Sequence, residues 1–321
     1  MNPLFDPAQT AARLDYAALA QEVAQLLVDA SVRVPPRLVQ SLPGGGSLFV
    51  MPAFDARLAI TKLITFTPGN TGTARPAIQG DVVVFDIVTG ERRLILDGPT
   101  VTARRTAAVS LLAAQRLAPN PAGPLLIVGA GTQGRAHLEA FVQGLGLTQV
   151  RVASRTAASA QRLVDHARTL GIRASVVTDA DAQLADCPLV VTCTPADGVV
   201  LRALPRPDAF IAAVGAFTRT MTELHPALCR HVADHGTIVV DTLDALHEAG
   251  DLLQAGLDVK GFADLRAIVL NLAAPAPGPV LFKSCGWAGW DLAAARCAIR
   301  DPGSSPGQAL IQNPSPTPWA A

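Results

Sequence analysis

Residues 125–141 read LLIVGAGTQGRAHLEAF, and this stretch decides the fold. The apolar run from Leu125 to Gly129 has the length and composition of a buried strand. Gly129, Gly131 and Gly134 follow in the spacing G-x-G-x-x-G, and a helical pattern starts at Arg135. A strand that ends in a glycine turn and opens a helix presents free backbone N–H groups at a positive helix end. That arrangement cradles the pyrophosphate of a dinucleotide. Gly129 permits the tight turn, Gly131 lets the backbone approach the phosphates, and Gly134 lets helix and strand pack closely. Thr132 and Gln133 complete the loop and join the cofactor-binding set.

Working outward, residues 149–154, 173–177, 188–193, 209–214 and 237–240 read as further strands, with helices over 135–144 and 156–170 between the first of them. Strand–helix alternation implies a parallel sheet covered on both faces, a Rossmann dinucleotide-binding domain. Upstream the pattern differs. Residues 14–30 carry apolar residues at helical spacing, 47–51, 57–66, 81–88 and 91–97 read as strands, and 100–118 reads as a long helix. GDVVVFDIVTGERRLILDG has the pattern of a hairpin turning near Thr89-Gly90-Glu91, and TPGNTGTARP (67–76) is a loop rich in turn formers. Pro119, Pro121, Gly123 and Pro124 form a linker, 287–300 is a last helix, and the Pro/Ser/Gly-rich tail from Asp301 reads as loose.

Composition excludes several classes. With 26 basic and 26 acidic residues in 321, the chain lacks the basic excess of a nucleic-acid or anionic-membrane binder. No apolar run approaches a membrane span, and MNPLFDPAQTAARLDY shows no secretory pattern. Cys187, Cys193, Cys229, Cys285 and Cys297 form no C-x-x-C pair; this odd, scattered set reads as small buried thiols in a reducing cytoplasm. His231 and His235 are four residues apart, but no acid completes a metal set, so no metal is expected.

The second strand of the dinucleotide fold discriminates between nicotinamide cofactors. NAD-binding folds place a carboxylate at its end, about 20 residues beyond the glycines. Here VRVAS runs into Ser154, Arg155 and Thr156. A guanidinium flanked by hydroxyls suits a ribose 2′-phosphate, so NADPH is expected, with NADH weaker.

Together GAGTQGRAH, ARRTAA (103–108), VMPAFD (50–55) followed by Lys62, and FKSCGWAGWDLAAA (282–295) resemble the ornithine cyclodeaminase/mu-crystallin family over roughly residues 14–300. The resemblance implies an α/β chain with two domains: a Rossmann domain (119–286) and a discontinuous α+β substrate-binding and dimerisation domain (1–118 with 287–321) that forms a homodimer. The family holds cyclodeaminases, an alanine dehydrogenase, imine reductases and non-catalytic small-molecule binders. Ornithine cyclodeaminases carry an aspartate where this chain has Phe217, beside Thr218. Without that acid a terminal ammonium has no partner, which disfavours ornithine. The loop and strand TFTPGNTGTARPAIQGDVVVFD resemble the reductases of Δ1-pyrroline-2-carboxylate and Δ1-piperideine-2-carboxylate, so reduction of these cyclic imino acids to L-proline and L-pipecolate is the implied activity.

Such a reaction needs a carboxylate grip, a protonated C=N, and a hydride donor about 3–4 Å from the imine carbon. By resemblance Arg105 is the carboxylate clamp, and a guanidinium fork suits that task. Arg104, beside it, points elsewhere and reads as a surface residue. Arg37, in VPPRLV, matches a second arginine near the carboxylate, and Lys62 either holds the carboxylate or supplies the proton. Thr106 either caps a phosphate or bonds back to its own helix. Thr194 and Gly215 lie past strand ends, and Ser284 and Gly286 close the nicotinamide face by resemblance. His137 is read as structural or close to the phosphates. Lys283 and Asp291 read as a charge leading into a helix and a helix-dipole partner, outside the catalytic set.

Overall fold

The computed structural model describes residues 4–70, 73, 75–195 and 198–300. The tail from Asp301 and residues 71, 72 and 74 of the 67–76 loop lie outside the described residues.

Two sheets share the molecule. Strands β1 (Leu38–Ser41), β2 (Ser47–Phe54), β3 (Leu58–Phe66), β4 (Ile78–Asp86) and β5 (Arg92–Asp97) form an antiparallel meander in chain order. Period-two alternation gives it an inner face. Leu58, Ile60, Lys62 and Ile64 of β3 are buried, while Leu63 turns outward. Lys62 is thus an inward-facing charge, in register with Met51 and Val82. The expected β4–β5 hairpin is present, with Gly90 at φ 70° in its turn. Before the sheet come α1 (Pro7–Ala12) and α2 (Tyr16–Val28), capped by Asp6 and Asp15; after it comes α3 (Gly98–Leu117), capped by Asp97.

The second sheet is wholly parallel, in the order β12-β11-β13-β10-β9-β6-β7-β8. Its strands are β6 (Leu125–Val128), β7 (Gln149–Ala153), β8 (Arg173–Val176), β9 (Leu189–Thr192), β10 (Phe210–Ala213), β11 (Thr237–Val240), β12 (Ala263–Asp264) and β13 (Val280–Lys283). The order reverses between β6 and β9, the switch point at which open α/β sheets bind ligands beyond the strands' carboxyl ends. Helices α4 (Thr132–Leu145), α5 (Ala157–Thr169), α6 (Ala180–Gln183), α7 (Pro226–His235), α8 (Gly250–Gln254) and α9 (Leu265–Val269) follow the strands. The last helix, α10 (Ala288–Ile299), leaves this sheet and packs on β2, β3, α2 and α3.

The fold is therefore α/β with a Rossmann-type sheet, as the strand–helix alternation indicates. Helix α3 joins the two parts: it packs on β4 and β5 on one side and on α4, β10 and β13 on the other. One continuous apolar core runs across it. Three details differ from expectation. β13, a central strand, is only four residues long and follows the Pro/Gly-rich run AAPAPGP, so no periodicity marks it. β1 is exposed along its whole length and lacks an apolar face. Helix α4 starts at Thr132 rather than Arg135, because Gly131 is already its N-cap residue.

The glycine loop has a testable division of labour. A Cβ on Gly134 would lie 2.0 Å from the Gly129 carbonyl oxygen, whereas one on Gly131 would meet nothing within 4 Å. Gly134→Ala should cost about 1–3 kcal/mol in denaturant unfolding, and Gly131→Ala should be nearly neutral; equal losses would contradict this account of the turn.

Candidate active site

The mouth of the parallel sheet is organised by carboxylates that the sequence did not flag. Glu223 is buried, and it accepts hydrogen bonds from Thr192 Oγ1 (3.0 Å), Thr194 N (2.6 Å), Thr194 Oγ1 (2.9 Å), Gly215 N (2.7 Å) and Ala216 N (3.3 Å). It thereby ties the segment after β9 to that after β10. Gly215 is obligatory, since a Cβ there would lie 2.4 Å from Glu223 Oε1. Asp251 takes the backbone N–H groups of Glu223 and Leu224 and the ammonium of Lys283, at 2.8 Å. Lys283 is thus no charge at the start of a helix: it is wholly buried at the end of β13, and it also donates to the Ala216 carbonyl. Burial pushes the Glu223 carboxyl upward, while Lys283 and the surrounding donors pull it back.

At the β6 turn, Gly129 has φ +117°, the left-handed region, and a Cβ there would lie 2.8 Å from the Cys193 carbonyl oxygen. Helix α4 has no side-chain cap at Gly131, so the N–H groups of its first turn face outward beside the open flank of that glycine. An uncapped helix start with room for a close anion is the donor set a dinucleotide pyrophosphate requires. Ser154 and the exposed Arg155 follow β7. Thr156 caps α5, accepting from Ser159 N.

Thr106 donates to the Thr102 carbonyl at 2.8 Å, so its hydroxyl bonds back to its own helix. His137 is fully buried between the Gln133 carbonyl and Ser110 Oγ, and burial lowers its pKa to about 4, so it is a neutral core residue. Arg104 is not a surface residue. Its Nε donates to the Leu14 carbonyl at 2.7 Å, and its guanidinium lies 3.9 Å over the Tyr16 ring, so it fastens α3 to the α2 segment.

The charged centre lies where the two sheets meet. Lys62 from β3, Arg105 from α3 and Asp291 from α10 converge with 1%, 6% and 0% of their surfaces exposed. Asp291 Oδ2 is 2.7 Å from Lys62 Nζ, and Oδ1 is 3.3 Å from Arg105 Nε. Neither carboxylate oxygen receives a well-aligned hydrogen bond, so the contacts are chiefly ionic. Asp291 reads from the sequence as a helix-dipole partner, outside the catalytic set. It does lie in the first turn of α10, but it is also the counter-ion shared by both cations. Burial pushes Lys62 down to about 8; Asp291 opposes the shift and Arg105 adds to it. Arg37 also acts on Lys62 at longer range, and it is ion-paired to Glu248, beyond β11. The trio carries two positive charges and one negative. Among the described residues no protein acceptor meets the terminal nitrogens of Arg105.

The Arg105 guanidinium also adjoins the parallel sheet. Gly286, past the end of β13, has φ +89°, and a Cβ there would lie 3.3 Å from Arg105 Nη1. Ser284 Oγ, Cys285 N and Gly286 N all donate to Asp241 Oδ2. Sequence reasoning thus found Lys62 and Arg105 but missed Asp291, Glu223 and Asp241. Asp241 and Asp291 carry the signal of an acid beside apolar residues, whereas Glu223 lies in the polar segment TRTMTELHP (218–226) and carries none. Phe217 is half-exposed on the loop after β10, and no acid stands at that position.

Fold and site define an α/β protein with a Rossmann-type sheet and a buried cationic centre at the sheet's carboxyl edge. The chain belongs to the ornithine cyclodeaminase/mu-crystallin family, whose profile matches residues 9–304. It is 40% identical over 300 residues to Delta(1)-pyrroline-2-carboxylate reductase 1 of Burkholderia multivorans, covering 92% of this chain and 95% of that protein. It is 39% identical over 299 residues to the Delta(1)-pyrroline-2-carboxylate/Delta(1)-piperideine-2-carboxylate reductase of Azospirillum brasilense, covering 92% and 94%. Among solved structures, the Delta(1)-pyrroline-2-carboxylate reductase of Thermococcus litoralis, in complex with NADH and L-proline, superposes with a TM-score of 0.80 at 23% identity, over 93% of this chain and 96% of that one.

The shared counter-ion yields a pH-dependent prediction. Asp291→Asn leaves two cations facing each other, and breaking a buried pair in this way costs about 3–5 kcal/mol. Lys62 has its folded pKa below the unfolded value of about 10.4, so its contribution to stability rises with pH between about 8 and that value. In the variant the folded pKa falls further. Its stability deficit should therefore be largest at pH 6 and shrink by pH 9.5, as read by urea unfolding; equal deficits at both pH values would contradict the assignment.

Proposed function

We propose that this protein reduces Δ1-pyrroline-2-carboxylate to L-proline, and Δ1-piperideine-2-carboxylate to L-pipecolate, with NADPH as the preferred donor. The observation that carries the reading is the Lys62–Asp291–Arg105 centre, buried with one unbalanced positive charge and free guanidinium nitrogens. A buried uncompensated cation is costly, and an anionic substrate removes that cost. The Burkholderia multivorans relative, covered almost end to end, is named for the reduction of Δ1-pyrroline-2-carboxylate, and the Azospirillum brasilense relative for that of both imino acids.

In this reading Arg105 grips the carboxylate through its two terminal nitrogens, and Arg37 adds positive potential from the mouth of the site. The bound cofactor supplies a hydride to the imine carbon. Lys62 supplies the proton that the ring nitrogen must acquire: with a pKa near 8 it is protonated at neutral pH yet gives up its proton at modest cost. Asp291 aims the ammonium and keeps its pKa from falling further. The imine thus becomes an amine with one hydride and one proton. Phe217 offers no counter-charge for a distal ammonium, which favours a cyclic imine over ornithine.

Gly129, Gly131, Thr132, Gln133 and Gly134 would hold the pyrophosphate and Arg155 the 2′-phosphate, with Ser154 and Thr156 beside it. Thr194, Gly215, Ser284 and Gly286 would line the nicotinamide, with Thr106 close by on α3. In this account residues 119–286 form the cofactor domain, and 1–118 with 287–321 the substrate and dimerisation domain. The outer face of the meander supports a homodimer: Leu63, Phe54 and Phe85 are exposed there, and Phe54 and Phe85 flank Ala59 in register. The five cysteines are buried and unpaired, which suits a cytoplasmic enzyme. Among the described residues no helix is long and apolar enough to cross a membrane.

NADPH oxidation should be rapid with the two cyclic imines and slow with pyruvate plus ammonia or with ornithine; the reverse order would overturn the substrate assignment. Arg105→Ala should lower kcat/KM by about 10²–10³-fold, the scale of a lost buried carboxylate partner, with NADPH affinity nearly unchanged. Arg155→Asp should weaken NADPH binding by more than about tenfold relative to NADH; equal weakening of both, measured by fluorescence titration, would contradict the 2′-phosphate role.

A further inference from the structure

We propose that Asp241 is a positioning residue for the substrate clamp, acting through the Ser284–Gly286 turn on Arg105. The inference rests on the reading of Arg105 as the carboxylate grip.

Asp241 directly follows β11 and is 1% exposed. In the β11–β13 register Val240 stands beside Lys283, and Asp241 N donates to the Lys283 carbonyl at 2.9 Å, so its side chain reaches the segment that leaves β13. Oδ1 accepts from Thr242 N at 2.9 Å. Oδ2 accepts three donors: Ser284 Oγ at 2.8 Å, Cys285 N at 3.0 Å and Gly286 N at 2.8 Å. All four groups donate, which is the environment of an ionised carboxylate. Among the described residues Asp241 has no ion-pair partner; burial pushes its carboxyl upward, and these four donors pull it back. Three donors converging on one oxygen fix the turn in all directions.

The turn stands beside the guanidinium. Gly286 is held at φ +89°, and the space its Cβ would take lies 3.3 Å from Arg105 Nη1 and 3.4 Å from Nη2. On its other side, among the described residues, the one ionic contact of Arg105 is the 3.3 Å approach of Nε to Asp291 Oδ1. That contact holds the inner edge of the fork, while the terminal nitrogens occupy the side of Gly286 that any larger residue would fill. A long side chain loses substantial entropy when fixed in one pose, and a wall prepared before substrate arrives removes that cost from binding. Stitching β11 to β13 would require nothing of Gly286 or Arg105. The placement of both against the same carboxylate-held turn distinguishes positioning from stitching.

The test is a double-mutant cycle in the full-length protein, with Δ1-pyrroline-2-carboxylate as substrate. Asp241→Asn should raise KM by about tenfold or more, the scale on which a lost buried acceptor acts. NADPH affinity should fall by a smaller factor, because the turn also borders the nicotinamide while the phosphate loop carries most of the binding, and that factor should be the same in the Arg105→Lys background. In an Arg105→Lys background the same substitution should raise KM by less than about twofold, because the planar fork that the turn aims is already gone. Ser284→Ala, which removes one donor of three, should give a smaller rise that also vanishes with Arg105→Lys; it carries the cycle if Asp241→Asn does not fold. Equal fold-increases in both backgrounds, or a lowered melting temperature with KM unmoved, would overturn the proposal. A failure of the clamp reading itself looks different: Arg105→Lys alone would then leave KM unchanged.

Discussion

Asp291 stands between two buried cations, Lys62 and Arg105. One carboxylate can balance only one of them. The arrangement is tolerated because all three groups are tied into secondary structure: Lys62 lies within β3, Arg105 within the second turn of α3, and Asp291 in the first turn of α10. Every element that brings these three together is held elsewhere by apolar packing, and α10 is further held by Arg296, which pairs with Asp55, Asp29 and Glu22. The surplus charge is therefore a property of the fold. It also sets the chemistry, since the same burial that makes the cation expensive lowers the Lys62 pKa to about 8.

The parallel sheet solves a related problem at its carboxyl edge. Glycine-rich turns are needed where a flat ligand approaches backbone, and such turns are loose unless something fixes them. Here buried carboxylates do so. Glu223 gathers the turns after β9 and β10, Asp241 gathers the turn after β13, and Lys283 with Asp251 neutralises part of the resulting charge. The hydroxyl hydrogens of Thr194 and Ser284 are consequently spent on these carboxylates, and their oxygens keep acceptor capacity alone.

Much of this was legible in the sequence, and the reason is locality. The glycine loop, its strand and its helix are contiguous, so spacing alone describes their geometry. Lys62 was visible as a charge inside an apolar alternation. Arg104 and Arg105 were separable only in part: adjacent residues on a helix are turned by about 100°, so one facing the site requires the other to face away. Nothing in the sequence showed that the away-facing side chain would meet Tyr16 and Leu14 and be covered. Asp291, Glu223 and Asp241 were illegible for the opposite reason. Their partners lie far along the chain, as Asp291 does from Lys62, and an acid alone does not announce which distant cation or turn it serves. β13 was missed because four residues after a proline-rich run carry no period.

The central claim is that a substrate carboxylate supplies the missing negative charge of the Lys62–Asp291–Arg105 centre. Adding an anion there raises the Lys62 pKa, so binding near pH 8 must draw a proton from solution. Calorimetry of pyrrole-2-carboxylate, an unreactive planar analogue, in buffers of differing ionisation enthalpy measures that proton directly. The account predicts fractional proton uptake at pH 8 that disappears at pH 6 and is abolished by Lys62→Met. Binding without proton uptake at pH 8 in the unmodified protein would contradict it.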